Sequence, residues 1–224
     1  MNLQAHLQRC FDKAENEESK LPTEILEMDG MSGQMTRHFY NNLLTLEGAR
    51  YLEIGTWKGS STFSAMYGNE AKIICIDNWS QFDGKEVKET FLKNLETYKG
   101  KNKVEYREGD CFEMDPTSFP KHNLYLYDGG HEVEDHYSAL TKFIDFMDDE
   151  FIYICDDWDW AAVREGTWKA IQELGLEVVF SIERSLNEGD NWKPAGYARA
   201  TWWNGIWAAV LRKTHKENRR TQQR

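Results

Sequence analysis

Cysteine is scarce in this chain, and what there is follows no metal-binding pattern. Cys10, Cys75, Cys111 and Cys155 are scattered singly, with none of the close pairs that zinc or redox motifs need. Cys75 and Cys155 lie inside apolar runs and read as small core residues. Such usage fits a reducing, cytoplasmic setting. Long hydrophobic runs are also missing: no stretch approaches the roughly 20 apolar residues that cross a bilayer. The first residues carry Gln, Asp and Glu where a secretory leader has an apolar segment. No membrane partner is therefore expected. Positive charge is in deficit, with 27 Lys and Arg against 38 Asp and Glu and a net charge of −11. The broad basic footprint of a nucleic-acid binder is absent. Only the end of the chain is locally basic, and a short polar basic end is expected to be disordered. The sequence shows no internal repeat and no low-complexity segment.

What remains is a globular composition. The chain has 224 residues, 40% hydrophobic and 13% aromatic, enough for one full-sized domain with its own core. Nine tryptophans are many; an aromatic-lined pocket and plain core packing both account for them. The pattern divides into an N-terminal helical extension and linker over 1–34, one domain over 35–212, and a polar basic tail over 213–224. Helices are expected over 3–18 and 35–46. An alternation then begins, with strands over 50–54, 72–77, 104–108, 124–128 and 151–156. Helices over 60–67, 85–98, 132–147 and 160–174 intervene, with a short segment after Gly109. Two late strands, 177–182 and 203–212, have no helix between them. This order predicts an α/β fold: a doubly wound, Rossmann-like, mostly parallel seven-stranded sheet with an antiparallel C-terminal edge hairpin. The loop 185–201, with Gly189, Trp192, Pro194 and Gly196, is long enough to be a lid or binding loop.

The run Tyr51-Leu-Glu-Ile-Gly-Thr-Trp-Lys-Gly-Ser-Ser-Thr62 reads as strand, tight turn, helix. Such a unit offers backbone N–H groups and a helix N-terminus to a ligand. It is not a P-loop, because no Gly-Lys-Ser/Thr follows, and Trp57 stands where a dinucleotide fingerprint has its second glycine. Glu53 just before the turn would repel a pyrophosphate but attract an ammonium. That points to S-adenosylmethionine, although glycine turns also serve tight packing alone.

In an open parallel sheet, ligands bind beyond the carboxyl ends of the strands. Those ends here carry Glu53, Asp77, Asp110, Asp128, Asp156 and Asp157. Asp77 is placed to accept from both ribose hydroxyls, with helix capping as the alternative. Asp110 could accept from an adenine amino group, or simply close a turn. Asp128, Asp156 and Asp157 would form an all-oxygen site suited to Mg²⁺ or another hard divalent cation, and unsuited to zinc. His131, three residues after Asp128, is placed to take a proton from a substrate hydroxyl; a surface histidine at a helix start is the alternative. His136 is a weaker candidate.

In order, Glu53-x-Gly55-x-x-x-Gly59, Asp77, Gly109-Asp110, Asp128-Gly-Gly-His131 and Asp156-Asp157-Trp158 resemble the class I S-adenosylmethionine-dependent methyltransferases. More narrowly, they look like the metal-dependent O-methyltransferases of the catechol and macrocin types, over roughly Met31 to Leu211. The resemblance implies that Glu53, Gly55 and Gly59, with the turn residues Thr56 and Ser60, line the methionine end of the donor. It also implies Asp77 at the ribose, Asp110 near the adenine, and Asp128, Asp156 and Asp157 around the metal, with Asp128 also beside the cofactor. The catechol enzymes place a lysine base where this chain has His131. Part of the macrocin group has a second aspartate where this chain has Gly130. The implied activity is metal-assisted O-methylation of a small hydroxylated molecule (a sugar, polyol or phenol), with Trp57, Trp158, Trp160 and the 192–203 loop gripping it. Alternatives are a donor-binding protein of the same fold without methyl transfer, and a methyltransferase for a non-hydroxyl acceptor. Nucleic acid is disfavoured as a partner by the charge, and a homo-oligomer is left open.

Overall fold

The computed structural model describes residues 2–81, 84–115, 118–185 and 201–214. Most of the 185–201 loop and of the basic tail therefore lies outside the described residues. Seven strands form one sheet: β1 (Arg50–Ile54), β2 (Lys72–Asp77), β3 (Lys103–Glu108), β4 (His122–Tyr127), β5 (Met147–Asp156), β6 (Glu177–Arg184) and β7 (Ile206–Arg212). Their order is β3-β2-β1-β4-β5-β7-β6. The first five are parallel, and β7 runs antiparallel between β5 and β6. The strand order reverses between β1 and β4, which makes their carboxyl ends the topological switch point where such sheets bind ligands.

Among the described residues, seven helices complete the fold: α1 (Leu3–Glu15), α2 (Thr23–Leu26), α3 (Gln34–Leu43), α4 (Ser60–Met66), α5 (Gly84–Tyr98), α6 (Val133–Phe143) and α7 (Ala161–Leu174). The central strands are buried on both faces, and their alternating side chains feed two cores. Tyr51, Ile73, Leu124 and Ile152 pack with Phe11, Phe39, Phe63 and Phe91 on the side of α1, α3, α4 and α5. Leu52, Ile74, Tyr125 and Tyr153 pack with Leu140, Phe143, Val163 and Ile171 on the side of α6 and α7. Cys75 and Cys155 are buried, one in each core. Among the described residues, no helix is long and apolar enough to cross a membrane.

Several bounds shift by a few residues, α1 ending at Glu15, α3 at Leu43 and β7 beginning at Ile206, and two differences are larger. The helix expected to run to residue 147 ends at Phe143. A 3-10 turn, Ile144–Phe146, follows, and β5 already begins at Met147. Met147 pairs with His122 and Glu150 with Arg212, so partners distant in sequence override a local helical pattern. The linker also contains a helical turn, α2. The buried Arg37 guanidinium donates to the carbonyls of Ile25, Leu26 and Met28, at 3.0, 3.0 and 2.7 Å, and to Ser32 O at 3.2 Å. One side chain of α3 thereby fixes the linker that leads Met31 to the switch point.

Candidate active site

A cleft of about 440 Å³ opens over the carboxyl ends of β1, β2, β4 and β5. Its floor is the turn after β1. Gly55 has φ +88°, and a Cβ there would lie 1.7 Å from the Asp128 carbonyl oxygen. Only glycine lets the β1 and β4 exits come so close. Gly59, φ +90°, caps α4, and a Cβ there would enter the Phe63 ring. The turn is tied to β2 by Asp77. Its Oδ2 accepts from the N–H groups of Thr56 (2.8 Å) and Trp57 (2.7 Å), and its Oδ1 from Trp79 N–H (2.6 Å). A carboxylate has about four acceptor positions, so one is left for a ligand.

Glu53 has a different setting. Alternation along β1 puts it on the face of Tyr51, buried against α4. There Oε1 accepts from Ser61 Oγ at 2.6 Å and Thr62 Oγ1 at 2.7 Å. Burial pushes its pKa up to about 7, with the two hydroxyls opposing that shift. Of the positions expected at the cofactor, Gly55, Asp77, Asp110 and Asp128 line the cleft. Glu53, Thr56, Gly59 and Ser60 stand behind its wall. Ser60 Oγ instead meets Ser32 Oγ at 3.0 Å, fastening the linker to α4. Asp110 lies at the rim, with Oδ1 accepting from Phe112 N–H at 2.8 Å.

The other half of the cleft is acidic. Asp128, His131 and Asp157 each present a ligand atom within 4.8 Å of the others. His131 Nε2 lies 2.7 Å from Asp157 Oδ2, yet it has no hydrogen-bond partner of proper geometry. Asp157 Oδ1 accepts from Asn204 Nδ2 at 2.6 Å. Asp156 also lines the cleft, but it stands outside the Asp128, His131 and Asp157 group. Its Oδ1 accepts from Asp157 N–H at 3.1 Å, and its Oδ2 from the buried Tyr40 hydroxyl at 3.4 Å. Burial, then the neighbouring Asp156 and Asp157, holds Asp128 well above the usual carboxylate range. Burial and Asp157 push Asp156 up to about 8. The Asp157 contact holds His131 above its ordinary value, against desolvation.

Local strain gathers here. Trp57, Trp79, Asp157 and Trp203 have φ between +46° and +56°, and all four line the cleft. Non-glycine residues held in this region cost on the order of 1–3 kcal/mol each and collect at functional sites. Trp160, 46% exposed, stands at the mouth with its ring centroid 4.7 Å from that of His131. Trp158, expected to grip the acceptor, is instead buried. It stacks on Trp207 at 4.9 Å and donates to Glu183. His136 is buried too, with Nδ1 3.3 Å from Cys155 Sγ. Sequence reasoning missed Asn204 and Tyr40, which no motif marks, and Met31, which reaches the cleft only because Arg37 folds the linker.

Residues 52–158 match the family described as a methyltransferase domain. Over that segment the chain is similar to this family. Solved structures of similar fold include an O-methyltransferase of Bacillus cereus in complex with S-adenosylhomocysteine, with a TM-score of 0.58 at 10% identity, covering 93% of this chain and 91% of that one. TrmN of Thermus thermophilus gives 0.57 at 12% identity, covering 85% of this chain and 52% of that one. The O-methyltransferase TomG of Streptomyces achromogenes, involved in tomaymycin synthesis and solved with S-adenosylmethionine, gives 0.55 at 15% identity, with 92% and 89% covered. Comparison with curated protein sequences gives no match. The fold shared with these structures is a parallel core with antiparallel strands at one edge.

The cleft has the features of a ligand site. It has an open acceptor position on Asp77, a wall where Cβ atoms are excluded, and aromatic sides at Trp57 and Trp79. It also suits a hard divalent cation. Two carboxylates and an imidazole converge, and the raised pKa values of Asp128 and Asp156 mark negative charge that a cation would offset.

Proposed function

We propose that this domain transfers a methyl group from S-adenosylmethionine to a hydroxyl of a small molecule carrying a second oxygen next to it, with a divalent cation at the acidic half of the cleft. The observation that carries this reading is the Asp128, His131 and Asp157 group in one continuous cleft with Gly55 and Asp77. When bound, the donor supplies an activated methyl and the cation supplies Lewis acidity toward the acceptor hydroxyl. The protein's own part is positioning and proton handling. Asp128 and Asp157 would hold the cation, with Asp156 behind them fixing the Asp157 backbone. His131 Nε2, set beside Asp157, would take the acceptor proton. Trp160 and Trp203 would cover the acceptor and exclude water. Gly55 and Asp77 would seat the donor.

A second reading follows from the convergence of His131 with Asp128 and Asp157, ligand atoms within 4.8 Å of one another: His131 is itself a ligand of the cation. His131→Ala separates the two. Loss of turnover with cation affinity kept supports the base, and loss of cation affinity supports the ligand. The test of the activity is incubation with S-adenosylmethionine, Mg²⁺ and either a catechol or a vicinal diol sugar, with mass spectrometry for the methyl ether. A protein that binds the donor but methylates no diol, with or without cation, would be a donor-binding member of the fold, and the proposal would fail.

A further inference from the structure

The opposite end of the sheet carries a second cavity, unconnected with the methyl-transfer reading. It measures about 350 Å³ and is lined by Arg50, Lys72, Lys103 and Lys121, with His122 among them and Ile74 and Pro120 as an apolar floor. Arg50, Lys72 and Lys103 open three neighbouring strands in direct register, Arg50 opposite Lys72 and Lys72 opposite Lys103. Like charges placed directly opposite one another on a sheet are destabilising, and this row stands in a chain whose net charge is −11.

The cations are not equally committed. Arg50 is ion-paired with Asp148 and donates to Lys121 O. Lys121 donates to the carbonyls of Asp145 (2.6 Å) and Met147 (3.2 Å). Glu105, which also lines the cavity, is engaged by Arg107 at 2.7 Å. Lys72 and Lys103 are exposed, and neither forms an ion pair with a described carboxylate. Below them His122 is 2% exposed, with backbone carbonyls of Phe146 and Pro120 beside its ring. Two uncommitted ammonium groups placed opposite one another at the mouth of a cavity repel unless an anion sits between them.

The geometry points to a second binding site at this edge, for a small phosphorylated molecule. Two lysines act as point charges for a doubly charged phosphoryl group. The Ile74 and Pro120 floor accepts an apolar body attached to it. Nothing at this edge carries reacting groups, so the site binds and does not react.

The probes are inorganic phosphate and phenyl phosphate, titrated into the whole protein at constant ionic strength set with sodium chloride. The melting temperature and calorimetric heat are followed. Saturable binding is expected, tighter for phenyl phosphate because of the apolar floor. Ten-fold excess over Kd should raise the midpoint by about 3–6 °C. The Lys72→Glu/Lys103→Glu variant should lose the response while keeping its far-ultraviolet circular dichroism. An equal response to chloride alone, or an intact phosphate response in that variant, would overturn the site. Lys72→Glu alone gives an independent readout. Placing an acid between Arg50 and Lys103 should raise the midpoint without ligand if the row exists for an anion. A fall would show Lys72 already compensated by its surroundings and would also overturn the proposal.

Discussion

The two ends of the sheet are chemical opposites. At the amino end the strands begin with Arg50, Lys72, Lys103 and His122; at the carboxyl end they finish with Asp77, Glu108, Tyr127-Asp128 and Asp156. Among the described residues, five non-glycine residues have positive φ: four lie at the carboxyl end around the cleft, and the fifth, Glu17, is in the N-terminal extension. Parallel strands all start at one edge and stop at the other, so a residue's place within each strand becomes its place in the fold. One edge has strain, buried carboxylates and glycine contacts. The other has exposed cations on unstrained backbone. The lesson is that chemical potential at the carboxyl edge is held there against local cost, whereas the amino edge stores its cost in charge alone.

Breaking the carboxyl edge should have the larger effects. Gly55→Ala forces a Cβ into the Asp128 carbonyl at a φ that L residues rarely adopt. Overlap plus strain should cost about 3 kcal/mol or more, which for a chain of this size lowers the melting temperature by about 6–12 °C. Donor binding should vanish with it. A calorimetric scan that shows a shift under 2 °C would mean that β1 and β4 can part without loss. Next, His131→Ala should lower kcat on a confirmed acceptor by ~10²–10⁴-fold, the usual contribution of a positioned base. Donor affinity should stay nearly unchanged, since His131 stands on the acid side. A base works when unprotonated, so wild-type activity should fall as pH drops through a His131 pKa held above its ordinary value by Asp157. A flat acid limb in the wild type would argue against the assignment.

Much of this polarity is legible in the sequence. Arg50–Ile54, Lys72–Asp77 and the core of Met147–Asp156 are apolar runs stopped by charges, and their spacing with helices dictates a parallel sheet whose tips meet. The side-chain directions at the tips are harder. Period-two alternation places Glu53 with Tyr51, away from the donor side, but the hydroxyls that receive it sit on α4, whose packing no local pattern gives. Asp156 and Asp157 are adjacent in sequence, yet the positive φ of Asp157 turns only that carboxylate into the group with Asp128 and His131. The start of β5 was hidden because Met147 and Glu150 are chosen by His122 and Arg212, both far away along the chain. Trp158 and Trp160 look equivalent in sequence; one stacks in the core and the other guards the cleft.

The buried acids sharpen the comparison through pH. Asp156 has its pKa raised to about 8 by burial and Asp157. Its folded value lies above the unfolded one, so the folded state holds a proton that the unfolded state releases. Stability without cation should therefore fall as pH rises from about 4 through 8. Asp156→Asn removes this penalty, and its melting temperature should exceed that of the wild type by several degrees at pH 8 and by little at pH 5. An equal offset at both pH values would sink the argument. At the amino edge the same logic has little to act on. Arg50→Gln breaks a pair whose side chains are about one-third exposed, and it should cost no more than about 1 kcal/mol. A loss of 3 kcal/mol there would erase the contrast between the two edges.

Tyr40→Phe is expected to have the smallest effect, yet it links the N-terminal helices to the site. Tyr40 sits on α3, and its hydroxyl donates to Asp156 Oδ2 over a long 3.4 Å. Both groups are buried, and the phenol's own pKa is raised by burial and by Asp156. The donated hydrogen bond favours the ionised carboxylate and partly offsets the burial that raises Asp156. Without it, stability should fall by about 0.5–1.5 kcal/mol, the usual net worth of one hydrogen bond. Because the contact is long, the lower part of that range is expected. The same loss makes Asp156 harder to ionise at neutral pH. Mg²⁺ stabilisation at pH 7 should then need a concentration about 2–5-fold higher, the factor equivalent to roughly 0.4–1 kcal/mol. At pH 9, where the acid ionises with or without the phenol, wild type and variant should converge. A variant whose Mg²⁺ response is unchanged at pH 7 would mean that the Tyr40 contact only packs α3, and that the N-terminal helices leave the charge of the acidic edge alone.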